Sequence, residues 1–151
     1  MTQNPPYRTV LNELMGECFR LNRSYLEVSA QLTEGASVSG AQWGVLAALG
    51  QNDRPDTVAA TARRMGLARQ SVQRVADLLA DAGLVHYLPS PEDKRAKLAE
   101  VTAAGRAELA KLKKRQHAWV DSIVGEYGEA EIDTALELIR NIRQRISQAD
   151  I

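Results

Sequence analysis

Apolar residues recur at steps of three and four along most of this chain, and the rhythm breaks only at glycines and at one short alternating stretch. Leu11, Leu14, Met15, Cys18, Leu21, Tyr25, Leu26, Ser29 and Leu32 predict one amphipathic helix from Val10 to near Gly35, about six turns long. Ser39 is placed to cap a second helix carrying Trp43, Leu46 and Leu49, which stops at Gly50 and the turn residues 52–55. A short helix from Thr57 to Met65 follows, with Val58, Ala62 and Met65 on one side. Gly66 and Leu67 then turn the chain into a helix over residues 68–82, with Val72, Val75, Ala76 and Leu79 inward and Gly83 as its stop. Two helices joined by a short glycine-bearing turn make a helix-turn-helix.

The alternating stretch comes next. Leu84 to Leu88 reads as a strand, Pro89 to Arg95 as a charged turn, and Lys97 to Val101 as the returning strand. Together they form a wing. Thr102 is placed to cap a helix bearing Leu109, Leu112, Trp119, Val120, Ile123 and Val124. After the break at residues 125–128, Ile132, Ala135, Leu136, Ile139, Ile142 and Ile146 mark a last amphipathic helix. The expected class is mainly α with a small β wing.

Charge narrows the function classes. Nineteen basic and nineteen acidic residues cancel, so no net field advertises a nucleic-acid partner. The distribution is uneven, however. Residues 57–76 hold four arginines (Arg63, Arg64, Arg69, Arg74) and no acid, and residues 94–115 hold eight basic residues against Glu100 and Glu108. Residues 116–151 offset them with seven acids against three arginines. Two basic blocks on a neutral chain point to a local contact with an anionic surface.

A hydrophobic fraction of 44% excludes a disordered chain. The polar start from Met1 to Thr9 and the lack of any long apolar run argue against a signal peptide or a membrane span, so a cytoplasmic protein is expected. A lone Cys18, with no partner for an internal disulfide, fits a reducing compartment. With only His86 and His117 beside it, no metal site is expected. The chain contains no His-Glu-x-x-His, phosphate-binding loop, dinucleotide glycine fingerprint or nucleophile elbow, so no enzyme and no cofactor are expected. A helical interaction module whose winged helix binds protein is the competing class, and the acid-free stretch around the second helix of the helix-turn-helix argues against it.

The order of elements resembles the MarR family of winged helix-turn-helix transcriptional regulators. The wing carries the likeness best: Asp93-Lys94-Arg95 is similar to the family's Asp-x-Arg turn, and Val101-Thr102 to the Leu-Thr closing its second strand, with valine in place of leucine. Residues 69–75, with Asp77, Leu79 and Gly83-Leu84-Val85, resemble the recognition helix and its exit into the wing. The resemblance implies a single MarR-like domain over residues 1–151. Residues 8–35 and 103–148 would supply dimerisation helices, and residues 39–102 the DNA-binding lobe.

Under that resemblance the chain is a homodimeric, ligand-responsive repressor that binds double-stranded DNA at an inverted-repeat operator, its recognition helices one turn of duplex apart. Arg69, Gln70, Ser71, Gln73 and Arg74 lie off the apolar face of the recognition helix and are the expected readers. Arginine suits guanine there, and glutamine suits adenine. Arg95 has the length to enter a minor groove, Lys94 and Lys97 suit phosphates, and Asp93 is placed with them at the wing; the competing reading is that Asp93 and Arg95 pair to stiffen the turn, and both roles can coexist. Arg54, Arg63 and Arg64 are candidates for backbone contacts. The family's effector pocket, for a small aromatic or anionic ligand, would be lined by Tyr25, Ser29, Trp43, Leu46 and Met65. Cys18 matches the position of a reactive cysteine in the peroxide-sensing branch, but its place on the apolar stripe reads as a buried, inert thiol.

Overall fold

The structure is a computed structural model and describes residues 6–52, 54–91, 93 and 95–149. In chain order the elements are α1 (Pro6–Leu32), α2 (Gly40–Gly50), β1 (Asp56–Thr57), α3 (Val58–Met65), α4 (Arg69–Asp81), β2 (Val85–Pro89), β3 (Lys97–Val101), α5 (Ala103–Val124) and α6 (Glu129–Gln148). The predicted class is therefore found: mainly helical, with a small antiparallel sheet of order β1-β3-β2. The chain divides into two compact units, one ending at Arg115 and one running from Gln116.

Local chemistry sets the element boundaries. Ser39 closes a capping box on α2: its Oγ accepts the Gln42 N–H, and the Gln42 side-chain oxygen accepts the Ser39 N–H at 2.8 Å. Thr57 caps α3 by accepting the Ala60 N–H. Gly66 ends α3 at φ +66°, the left-handed conformation that glycine adopts without steric penalty, and the Leu67 N–H returns to the Ala62 carbonyl at 3.0 Å. The turn of the helix-turn-helix is built this way. Helix α1 starts at Pro6, earlier than its apolar repeat suggests, because proline is tolerated in a first helical turn where its missing N–H costs nothing.

One core holds the lobe together. Leu46 from α2, Ala62 from α3, Val72, Ala76 and Leu79 from α4, and Leu112 from α5 are buried, against Val85, Ala99 and Val101 of the sheet. Val72, Ala76 and Leu79 sit at helical spacing, so one stripe of α4 goes inward and the rest stays free. Burying each large aliphatic side chain contributes roughly 1.5–3 kcal/mol. On β3 the alternation places Ala99 and Val101 inward and Lys97 outward.

Polar ties fix the edges of this lobe. Glu108 on α5 is buried and accepts the Ser37 N–H at 3.0 Å, which holds its carboxyl below the usual carboxylate range. Arg115 donates to the Leu32 and Glu34 carbonyls at 2.9 and 3.0 Å, satisfying acceptors at the end of α1. Thr102 links three elements, its hydroxyl donating to the Gly83 carbonyl at 2.8 Å and accepting the Gly105 N–H at 3.1 Å.

The long helices contrast with the lobe. On α1, Leu11, Met15, Leu21, Tyr25 and Leu26 are exposed and Cys18 is half-buried, so the stripe predicted for this helix is covered at its C-terminal end, at Ser29 and Leu32, and largely uncovered before it in a single chain. On α6 no residue is buried, and Ile132, Leu136, Ile139 and Ile146 are exposed. Among the described residues no helix is long and apolar enough to cross a membrane.

Candidate nucleic-acid interface

Helix α4 follows a turn that leaves its first residues projecting from the lobe. Arg69, Gln70, Ser71 and Arg74 are exposed, and Gln73 is half-buried. No acid occupies the first turn of α4, so its N-terminal end, where backbone N–H groups point outward, carries only positive or neutral side chains. The helix is bordered by two grooves. One, of about 620 Å³, runs along Arg69, Gln70, Arg74 and Leu78; the other, of about 570 Å³, lies between α4 and the wing, with Arg95 and Lys97 facing Arg69 across it. Gln73 and Asp77 line both.

The wing is stapled by its own main chain. Asp93 accepts the Arg95 N–H on Oδ1 at 2.9 Å, and the Asp93 N–H donates to Ser90 Oγ at 3.3 Å. Of the two roles expected for Asp93, this geometry serves the stiffening one, through the peptide of Arg95. The Arg95 and Lys97 side chains are exposed, with the Lys97 ammonium 6.0 Å from the centre of the Tyr87 ring. Lys94 lies outside the described residues.

A network absent from the sequence reading joins α4 to the wing. The Gln73 carboxamide nitrogen donates to Asp77 Oδ1 and to the Tyr87 hydroxyl, both at 2.9 Å, and that hydroxyl donates to Asp77 Oδ1 at 2.7 Å. These donors, Tyr87 foremost, hold the Asp77 carboxyl below its usual range. Burial first, and the Asp77 carboxylate second, push the Tyr87 hydroxyl up, so it stays a phenol throughout the physiological range. The signal available in the sequence was the i, i+4 spacing of Gln73 and Asp77.

Of the other candidate arginines, one is already engaged. Arg64 pairs with Asp56 and donates to the Ala48 carbonyl at 3.1 Å, tying α3 to β1 and α2, so the backbone-contact role offered for it competes with an internal one. Arg54 and Arg63 are exposed.

The residues expected to line an effector pocket differ in burial. Leu46 has no exposed surface and Trp43 very little, both within the lobe core, and Met65 packs against that core. Ser29 is buried where α1 passes α2, so close that a Cβ on Gly40 would lie 2.6 Å from its Oγ. Tyr25 is exposed on α1.

Sequence comparison identifies this lobe. The MarR family model matches residues 36–96, from the loop before α2 to the wing turn. The winged-helix lobe is thus similar to the MarR family over those residues. An uncharacterized protein of Mycobacterium tuberculosis is 37% identical over 75 residues, covering 50% of this chain and 51% of its own, so the chain spans about half the length of the curated relatives it matches. The MarR/EmrR family transcriptional regulator of Acinetobacter sp. ADP1 superposes with a TM-score of 0.81 over 93% of this chain and 99% of its own, at 18% identity. The transcriptional repressor CouR, bound to a 23-mer DNA duplex, superposes at 0.74 over 88% of this chain and 94% of its own, at 27% identity. The MarR fold thus extends well beyond the matched lobe and takes in the long helices.

Proposed function

We propose that this chain is a sequence-selective DNA-binding transcriptional regulator, not an enzyme, that acts as a homodimeric, ligand-responsive repressor at an inverted-repeat operator. The observation that carries the reading is the exposed, acid-free beginning of α4, with Arg69, Gln70, Ser71 and Arg74 outward beside a wing that presents Arg95 and Lys97. Such a helix end suits the major groove, and a wing-tip arginine suits the narrow minor groove beside it. The superposition on a DNA-bound repressor supports the same use of the lobe.

The uncovered apolar faces of α1 and α6 support the dimer. Each carries large aliphatic side chains in water, and a second copy is the partner that would remove them from it. In a two-fold dimer the paired recognition helices meet successive major grooves about 34 Å apart, which requires a palindromic target. A related fold, CouR of Rhodococcus jostii RHA1, was solved with p-coumaroyl-CoA, which favours an aromatic or anionic effector. Among the five residues expected to line its pocket, Tyr25 is exposed and Met65 half-buried. An effector acts only through unequal affinity for the DNA-fitting and non-fitting geometries.

The test is an anisotropy titration of the purified chain on duplex from upstream of its own gene, at several salt concentrations. Salt-sensitive, sequence-selective binding is expected, and binding that ignores sequence defeats the reading. Arg74→Ala should cost about 1–3 kcal/mol of specific binding. Lys97→Ala should lower the salt slope by about one phosphate contact, with little change in sequence preference. A chain that sediments as a monomer at working concentration removes the dimer.

A further inference from the structure

Tyr87 is where the wing meets the recognition helix. Its hydroxyl donates to Asp77 Oδ1 at 2.7 Å and accepts from Gln73 Nε2 at 2.9 Å. Among the described residues these are the only hydrogen bonds that join β2 or β3 to α4. The other ties of the sheet run elsewhere. Strand β1 pairs with β3, Ala99 is buried in the core, and the root is held at Thr102, whose N–H donates to the Leu84 carbonyl at 3.0 Å. Leu84 lies three residues before Tyr87, about 10 Å along an extended chain, so the hydroxyl is a second attachment well out from the root. The ring that carries it lies 6.0 Å from the Lys97 ammonium, and its two partners on α4 line both grooves. One side chain thus touches both halves of the candidate interface.

We infer that Tyr87 is a positioning residue that fixes the spacing between the wing and α4, so that Arg95 and Lys97 on one side and Arg69 and Arg74 on the other engage the duplex as one unit. The inference rests on the DNA-binding reading above and concerns how that binding becomes selective. Phosphate contacts set a protein's register on the duplex, and base contacts carry the sequence information. A register set at the wing reaches the side chains of α4 only through a joint that does not give. A hydrogen bond to an ionised acceptor is short and strong, and Asp77, whose donors hold its carboxyl below the usual range, is such an acceptor. Without that bond the cations of the wing still attract DNA but no longer place the recognition helix on it. Selective binding then suffers, and non-selective binding does not.

The experiment selects a site from a randomised duplex pool with the full chain, then titrates that site and a scrambled duplex of equal length at several salt concentrations. Tyr87→Phe keeps the ring, its place beside Lys97 and every charge, and removes only the hydroxyl. The ratio of selected-site to scrambled affinity should fall about tenfold, the worth of about one hydrogen bond to a charged group. Affinity for the scrambled duplex and the salt slope should stay as they were, because no cation is lost. Asp77→Ala breaks the same joint from the α4 side. It should strengthen binding to both duplexes alike by removing a negative charge, yet lower the ratio as far as Tyr87→Phe does, and the double variant should be no less selective than either. A merely structural role would lower the melting temperature and leave the ratio intact wherever the lobe is folded. An unchanged ratio in Tyr87→Phe would overturn the inference, as would equal losses on both duplexes or single losses that add in the double variant. If the wild type enriches no sequence, the DNA-binding reading itself fails and this assignment falls with it, an outcome distinct from an unchanged ratio.

Discussion

Helices α4 and α1 both carry an apolar stripe at helical spacing, and they dispose of it in opposite ways. On α4, Val72, Ala76 and Leu79 are 1%, 0% and 0% exposed beneath α2, α3 and the sheet. On α1, Leu11, Met15 and Leu26 are 43%, 37% and 60% exposed. Periodicity announces that a face will be covered, but it does not say by what. For α4 the cover is the chain itself; for α1 the proposal assigns it to a second copy.

Three measurements would break or sharpen that contrast, the largest effect first. Leu46→Ala empties a site with no exposed surface and should destabilise the lobe by about 2–5 kcal/mol in chemical denaturation. Leu26→Ala should cost well under that at protein concentrations where the chain is dissociated; an equal cost would show that α1 is covered within one chain. Phe19→Asp, on a side chain 76% exposed, should leave the lobe's stability within about 0.5 kcal/mol and lower the sedimentation coefficient to that of a monomer. Persistence of the dimer would move the interface elsewhere.

Smaller effects probe the polar seams of the lobe. Tyr87→Phe removes a hydroxyl that makes two hydrogen bonds and should cost about 1 kcal/mol of stability. The smallest effect concerns acid. The folded pKa of Glu108 lies below its ordinary value of 4.5, so its contribution is complete above that pH and is lost as pH falls through the folded value. Glu108→Gln should therefore flatten the acid limb of a stability–pH curve and leave the neutral region nearly unchanged in shape. An identical acid limb would assign that limb to other carboxyls, such as Asp77.

Much of this architecture was legible because single residues announce it. Ser39 and Thr102 were read as caps, Gly66 and Gly83 as stops, and the strand from Lys97 to Val101 falls where alternation placed it. The short strand β1 was not read, since two residues after Pro55 show no alternation and exist as a strand only through their pairing with Leu98 and Ala99. Site residues were legible as types at spacings. Their engagements were not: Gln73 meets Tyr87 across fourteen residues, and Arg64 meets Ala48 across sixteen. A charged or amide side chain off the apolar face reads as free, and only tertiary structure reveals that it is already occupied.

The root of the wing carries a mechanical consequence. Thr102 joins the Gly83 carbonyl to the Gly105 N–H, and a Cβ on Gly105 would sit 2.2 Å from the Leu84 carbonyl oxygen, so the first turn of α5 is seated directly on the exit of α4. Such a joint has no slack. Interiors packed this closely transmit strain, so a shift at the start of α5 is expected to be felt at the exit of the recognition helix.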